Sequence, residues 1–408
     1  MKCIYYGAGL YAQANFDRLS KKYEPVYFCD AHAIEGQTFL GLTVLPPSAL
    51  IESELPILIT RFPFNIIETQ AYLIEILNIP QSRIVNYEPY ETKLTCHHLE
   101  DEIYFGLDHA YLCCAIFGHN KTPKVDFSES ATPKEKVREM IALKDRISKA
   151  LSNGEECECS GCPALSSRLV STKKSALSYI SFIFSNLCNL SCIYCNANLG
   201  RATEIDIESY SSLISEMHCE GLIDESTSVG LWQGELALHP QKKDILSVLT
   251  PYYSYIISNC TVYDECIAEH LALGRSVINT SLDCGTAETY AKIKGADLFN
   301  EVIMNIKKYS ELTKFDMKYI FLPGINDNIN DIDGFIKLID DISTRCYRII
   351  LSRDGENITE LSDHTIYAMA YLTNAAKLRK IPLVFHDVRT TFSVEELARY
   401  EKLLSEIN

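Results

Sequence analysis

The sequence predicts an α/β protein in which a small parallel-sheet domain precedes a full or partial (β/α) barrel. Three observations carry this. Strand-like and helical stretches alternate through the first 90 residues. They alternate again, more regularly, from Ala176 to the C-terminus. No apolar run reaches the roughly 18 residues that a membrane span needs. Strands alternating with helices bury both faces of a parallel sheet, and six or more such units in succession can curl into a barrel. The domains read as 1–90, a cysteine-bearing linker over 91–170, and the barrel over 171–408.

Residues 3–6 read as the first strand, and Gly7-Ala8-Gly9-Leu10-Tyr11-Ala12 opens a helix that runs to about residue 22. Residues 26–29 form a second strand ending in Asp30, 57–60 a third, 64–77 a helix and 84–87 a last strand. A G-x-G-x-x-A turn with an acid about 20 residues later fits the dinucleotide pattern, in which the glycines let a diphosphate approach the backbone. The module is therefore Rossmann-like, with Gly7, Gly9 and Asp30 as nucleotide-binding candidates. Its length is about half that of a two-lobed dinucleotide domain, so a structural or sugar-nucleotide role stands beside nicotinamide binding.

The linker is less regular. Thr132 is placed to cap a charged helix over 134–151, and Asn153-Gly154 to end it. In the barrel, strands are expected at 179–184, 228–232, 254–258, 276–282, 317–322, 347–351 and 383–386. Helices are expected at 206–220, 241–249, 263–273, 286–308, 330–342 and 359–379, with a last one from Ser393.

Lys+Arg total 38 against Asp+Glu 54, a formal charge of −16. That balance excludes proteins that track phosphate backbones or anionic membranes, so neither nucleic acid nor a membrane is an expected partner. The early glycine turn, followed by Asp17 and Arg18, reads as a βα unit rather than a signal peptide. A cytoplasmic location is expected. Sixteen cysteines in such a chain point to metal binding or catalysis rather than disulfides.

The cysteines fall in groups. Cys188, Cys192 and Cys195 stand at the end of the first barrel strand with C-x3-C-x2-C spacing, Cys157, Cys159 and Cys162 follow the charged helix, and Cys113 and Cys114 precede it. Three thiolates on one loop can hold a [4Fe–4S] cube and leave one iron open. Zinc needs a fourth ligand, and neither a histidine nor a further cysteine follows Cys195 within twenty residues. The linker group, Cys113 or Cys114 with Cys157, Cys159 and Cys162, has the makings of a second [4Fe–4S] cluster or a zinc site. His97, His98, His119, His239 and His386 show no metal-ligand spacing.

These motifs resemble the radical S-adenosylmethionine (radical SAM) superfamily over about residues 176–408. C-x3-C-x2-C carries an aromatic, Tyr194, before its third cysteine. Trp232-Gln233-Gly234-Glu235 is similar to the family's Gly-Gly-Glu segment, with Gln233 in place of the first glycine and Leu236 in place of the usual proline. Ser281-Leu282-Asp283 resembles the segment that contacts the ribose or carboxylate of S-adenosylmethionine. Residues 318–326 resemble the segment that flanks the adenosine. The resemblance implies that Cys188, Cys192 and Cys195 bind a [4Fe–4S] cluster. It also implies that Tyr194, Gly234, Glu235, Ser281 and Asp283 bind S-adenosylmethionine, and that a donor such as flavodoxin or ferredoxin supplies the electron. Reductive cleavage would give a 5′-deoxyadenosyl radical that removes hydrogen from substrate.

Cys260 and Cys284 follow successive strands, near the expected barrel mouth, and are candidate catalytic hydrogen donors; as small apolar residues they also suit a packed core. The substrate expected is a small metabolite or nucleotide-linked sugar undergoing epimerisation, dehydrogenation or rearrangement. A peptide substrate is the alternative, and a non-catalytic iron–sulfur or zinc protein the different-class reading.

Overall fold

The computed structural model describes residues 1–61, 65–106, 109–113, 122–127, 131–162, 164–172, 176–183, 185, 187–195, 207–342, 345–353, 360–385 and 392–407. It has two compact units, Met1–Ser181 with Glu208–Ser228, and Phe182–Ile207 with Val229–Asn408.

The first unit opens with β1 (Lys2–Tyr6), α1 (Leu10–Ser20), β2 (Glu24–Cys29), β3 (Thr38–Phe39), β4 (Leu42–Leu45) and β5 (Ile57–Ile59). The sheet order is β3-β4-β2-β1-β5, parallel except for the β3–β4 hairpin. Side chains alternate across a strand, so Cys3 and Tyr5 of β1 enter one buried cluster and Ile4 and Tyr6 another. Residues 84–87 do not form the expected strand beyond a bridge from Ile84 to Ile57. The Asn86 side chain occupies the edge instead, accepting from Ile59 N at 3.0 Å and donating to Ile59 O at 3.0 Å.

Next come α2 (Ile66–Ala71), β6 (Tyr90–Thr95), α3 (His97–Asp101), β7 (Glu102–Phe105), β8 (His109–Tyr111), β9 (Lys124–Asp126), α4 (Pro133–Asn153), β10 (Ser166–Ser171), β11 (Tyr179–Ile183) and α5 (Ile207–Cys219). The linker thus holds strands that the sequence did not signal. β6 pairs antiparallel with β10, and β8 with both β7 and β9. β7, β8 and β9 have three or four residues each, too few for a period of two to register. Thr132 caps α4 in a reciprocal box with Glu135, and Gly154 closes it in the left-handed conformation.

α3 carries a charged cluster. His97 bonds Asp101 Oδ2 at 3.1 Å and Glu102 Oε1 at 2.7 Å, and His98 bonds Glu102 Oε2 at 2.6 Å. Burial opposes the charge on His97, but the two carboxylates outweigh it and raise its pKa to about 9. The stabilisation is complete below the ordinary histidine value and is lost as pH rises through about 9. Urea unfolding of the full chain should therefore show a loss on the order of 1–3 kcal/mol between pH 6 and 10. His97→Gln should flatten that slope, and parallel pH curves for the two proteins would remove the assignment.

The second unit continues with β12 (Ser228–Trp232), α6 (Lys242–Leu249), β13 (Tyr253–Ile257), α7 (Glu265–Ala272), β14 (Ser276–Ser281), α8 (Ala287–Lys294), α9 (Phe299–Ser310), β15 (Phe315–Phe321), α10 (Ile329–Asp341), β16 (Cys346–Arg353), α11 (Asp363–Leu378), β17 (Leu383–Phe385) and α12 (Val394–Glu406). β13 to β17 pair in parallel and in chain order, with β12 beside β13. Among the described residues β17 pairs only with β16, so the sheet stays open and a full barrel does not close. The helix expected over 286–308 is two helices, because Gly295 turns left-handed at φ +70° and caps α8.

Register decides what each sheet face carries. Tyr319 of β15 packs edge-on against Phe335 of α10, so Phe315, Met317, Tyr319 and Phe321 face the helices. Asp316, Lys318 and Ile320 take the other face, where Lys318 lies level with Ser281 and Asp316 with Arg348. No helix of the described residues is long and apolar enough to cross a membrane.

Candidate functional site

The cysteine loop is docked on the end of α8. Ser191 N donates to Lys294 O and Ile193 N to Ile293 O, both at 2.9 Å, and Cys195 N donates to Cys192 O at 3.0 Å. These bonds use carbonyls that a helix C-terminus leaves without partners. Cys188 and Cys192 are half-buried and Cys195 is exposed. Burial pushes the Cys188 and Cys192 thiols up. The Asn259 amide, 3.6 Å from Cys188 Sγ, and the charge of Lys294 near Cys192 pull the other way, toward thiolate.

Beside this loop stands the end of β12. Gln233 and Gly234 both have positive φ, +63° and +65°. A Cβ on Gly234 would lie 2.5 Å from Ser185 O and 2.8 Å from Leu187 O, so glycine is required where two strand ends meet. Glu235 N then reaches Leu187 O at 2.7 Å. The Glu235 side chain is 1% exposed, and its carboxylate accepts from Ala237 N, Ser258 Oγ and Asn259 N at 3.2, 2.9 and 2.6 Å. Burial raises its pKa and those three bonds oppose the rise. A carboxylate offers about four acceptor positions, which leaves room for one more donor such as an ammonium.

Asp283, also at positive φ, is fully buried. Its Oδ1 accepts from Ile320 N at 2.8 Å, while Oδ2 takes Lys294 Nζ at 2.6 Å and Tyr194 OH at 2.5 Å. Both Asp283 oxygens and the Tyr194 hydroxyl are therefore engaged inside the fold. Ser281 contributes its carbonyl to Lys294 Nζ at 2.6 Å. Lys294, Asn259 and Asn326, whose Nδ2 donates to Asp283 O at 2.6 Å, were not singled out in the sequence. Lys294 had one signal, its place before a capping glycine.

Cys260 and Cys284 are each 0% exposed. Burial pushes the Cys260 thiol to about 12 and raises that of Cys284 further. Each sulfur contacts the carbonyl two residues earlier, Ser258 O at 3.9 Å and Leu282 O at 3.5 Å. This is the environment of packed core cysteines.

In the first unit, Cys159 is pushed to about 12 by burial and then by the nearby thiols of Cys96, Cys157, Cys113 and Cys162. Cys96 was missing from the sequence-based set; it sits at the N-cap of α3, its sulfur 3.4 Å from Leu99 N. Cys114, His119 and His386 lie outside the described residues. Gly7 has φ +117°, and a Cβ there would meet Arg61 Cγ at 2.8 Å and Thr60 O at 2.9 Å. Gly9 is the N-cap of α1, and Asp30 accepts from Ala8 N and His32 N, each at 2.9 Å. The acid thus braces its own glycine turn. A polar cavity of about 330 Å³ in this unit is lined by Lys93, Asp101, Lys144 and Arg168 and by no residue of the glycine turn.

Among the described residues no three His, Cys, Asp or Glu side chains close around one point that a single metal ion could take. A cube meets its three thiolates at three different irons, so its ligands need not converge. Three thiols on one loop, with an amide donor and a buried cation beside them, fit that group better than a single zinc.

Residues 182–339 match the Radical SAM superfamily. The chain carries a radical SAM domain and is an enzyme of that kind, a class that implies a [4Fe–4S] cluster and S-adenosylmethionine. An uncharacterized protein of Methanocaldococcus jannaschii is 24% identical over 262 residues, 61% of this chain and 83% of that protein. The GTP 3′,8-cyclase of Petrotoga mobilis is 25% identical over 187 residues, 40% of this chain and 52% of the cyclase, about half its length. Among solved structures, Streptococcus suis SuiB bound to S-adenosylmethionine is 13% identical with a TM-score of 0.43, covering 74% of this chain and 73% of that one.

Proposed function

We propose that the chain cleaves S-adenosylmethionine reductively at a cluster held by Cys188, Cys192 and Cys195 and takes hydrogen from a small metabolite or nucleotide-linked sugar. The observation that carries this is the docking of the three-cysteine loop beside Glu235, inside the matched domain. When bound, the cluster and S-adenosylmethionine supply a 5′-deoxyadenosyl radical able to attack an unactivated carbon. Gly234 lets the chain turn so that Glu235 faces the loop, and Ser258 and Asn259 fix the carboxylate for the methionine ammonium. Ser281 stands at the end of β14 for the ribose or carboxylate. Epimerisation, dehydrogenation and rearrangement are the candidate outcomes, with flavodoxin or ferredoxin as electron source.

The parallel module with its Gly7 and Gly9 turn, which Asp30 braces, is the ground for a nucleotide-linked substrate. The gathered thiols of the first unit favour a second reading, a peptide substrate with a second cluster or zinc at Cys159 and Cys162, completed by Cys96, Cys113 or Cys157.

Anaerobic reconstitution should give bound iron and sulfide, and dithionite should release 5′-deoxyadenosine, faster with the true substrate than with others in a panel of sugar nucleotides and peptides. Glu235→Gln removes the charge facing the ammonium, an interaction worth about 1.5–3 kcal/mol. S-adenosylmethionine affinity should fall roughly tenfold or more, with iron content unchanged. A reconstituted chain with no iron and no 5′-deoxyadenosine would overturn the proposal, and wild-type affinity in Glu235→Gln would overturn the role of Glu235.

A further inference from the structure

Lys294 is 3% exposed and Asp283 0%, a buried ion pair directly behind the cysteine loop. The ammonium has three donors, and all three are used: Asp283 Oδ2, Tyr194 OH and Ser281 O, each at 2.6 Å. Its nitrogen also lies 5.0 Å from the centre of the Tyr194 ring. The backbone of the same residue accepts from Ser191 N. One residue later, a Cβ on Gly295 would lie 3.1 Å from Ser191 Cβ and 3.2 Å from Ser191 O, so the loop rests directly on the helix end.

Burying such a pair contributes little net stability, because desolvation offsets the attraction. Its placement is local: besides the ends of β14 and β15, through Ser281 O and Ile320 N, what it holds is the cysteine loop, through the Tyr194 hydroxyl. Tyr194 sits between Cys192 and Cys195, so fixing its hydroxyl fixes the two-residue spacer that separates these thiols. The Lys294 charge is felt at Cys192, where it favours the thiolate, while the Asp283 carboxylate opposes it.

We propose that Lys294 is a positioning residue, which with Asp283 and Tyr194 clamps the cysteine loop on the end of α8 and pre-sets it for cluster binding. This rests on the cluster assignment above. The clamp closes around the loop before any cluster arrives, since every bond in it is protein to protein. Loosening it should therefore speed cluster loss more than it lowers fold stability.

The test uses the full chain, reconstituted anaerobically, and follows iron release to a strong chelator, the electron paramagnetic resonance spectrum of the reduced cluster, and thermal unfolding by circular dichroism. Tyr194→Phe removes one hydroxyl and leaves the ion pair intact, so it should fold as wild type does. It should lose iron severalfold faster and show an altered spectrum at an unchanged melting temperature. The double variant Lys294→Met with Asp283→Asn avoids a lone buried charge and should lose iron at least tenfold faster. Wild-type release and spectra in both variants would overturn the proposal. So would a fall in melting temperature that accounts for the faster release, since that would mark a general stabilising role. If the wild-type chain itself takes up no iron, the cluster assignment fails and the clamp proposal falls with it.

Discussion

With Cys188, Cys192 and Cys195 all replaced by alanine, the chain should fold normally and release no 5′-deoxyadenosine above background. The fold should tolerate the change because Cys195 is exposed and the other two are only half-buried, so little apolar area is lost. The loop also keeps its backbone bonds to Lys294 O and Ile293 O, which do not involve the sulfurs. Activity should go to zero rather than decline, because the loop 188–195 then keeps no thiolate of its own. Cys260 and Cys284 are buried with their sulfurs against backbone carbonyls. Iron and zinc counts on the same variant address the first unit. Metal retained there, and lost when Cys159→Ala is added, is the expected result for a second site. A triple variant that still makes 5′-deoxyadenosine would end the cluster assignment, and one holding neither iron nor zinc would end the second site.

The legible parts of this chain are those in which one short stretch carries the chemistry. C-x3-C-x2-C and Gln233-Gly234-Glu235 each lie on a single strand end, where spacing alone brings the residues near one another. The β/α alternation was legible because strands such as β15 are long and apolar on the face that meets the helices. The open sheet was not legible, because barrel closure depends on whether the last strand pairs with the first, which no local pattern encodes. Cys96 and Lys294 were missed for a related reason. Each reaches its cluster through long-range packing, Cys96 from the cap of a five-residue helix and Lys294 from the end of α8. Asp30 and Asp283 show the converse. Each stands where a ligand-binding acid is expected, yet folding has given its oxygens backbone and side-chain donors of the protein itself. A motif fixes where an acid lies in the chain, and the neighbours decide what the acid holds.

Gly285→Ala should unfold or severely weaken the second unit, by about 3 kcal/mol or more. A Cβ at this position would lie 2.1 Å from Asp331 O, 2.3 Å from Phe335 N and 2.6 Å from Gly334 C. All three are backbone atoms of α10, so no side chain can swing aside and the helix itself must move. Gly334 faces the same contact, since its Cβ would lie 2.2 Å from Gly285 O, and Gly334→Ala should match it. The contact matters for the site because Asp331 hooks α10 to the start of α8. Its carboxylate accepts from Gly285 N at 3.2 Å and from Thr286 Oγ1 and Thr289 Oγ1 at 2.7 Å each. α8 therefore works as an eight-residue strut, seated on α10 at one end and carrying the cysteine loop at the other. Moving α10 should release the strut, and iron retention should fall together with thermal stability. Gly274→Ala is the control: it has φ +74° but nothing within 4 Å of the new Cβ. It should cost only the backbone strain of about 1–2 kcal/mol and leave iron retention unchanged. If Gly285→Ala melts no lower than Gly274→Ala, α8 and α10 do not meet backbone to backbone, and the seating of the cysteine loop must come from elsewhere in the unit.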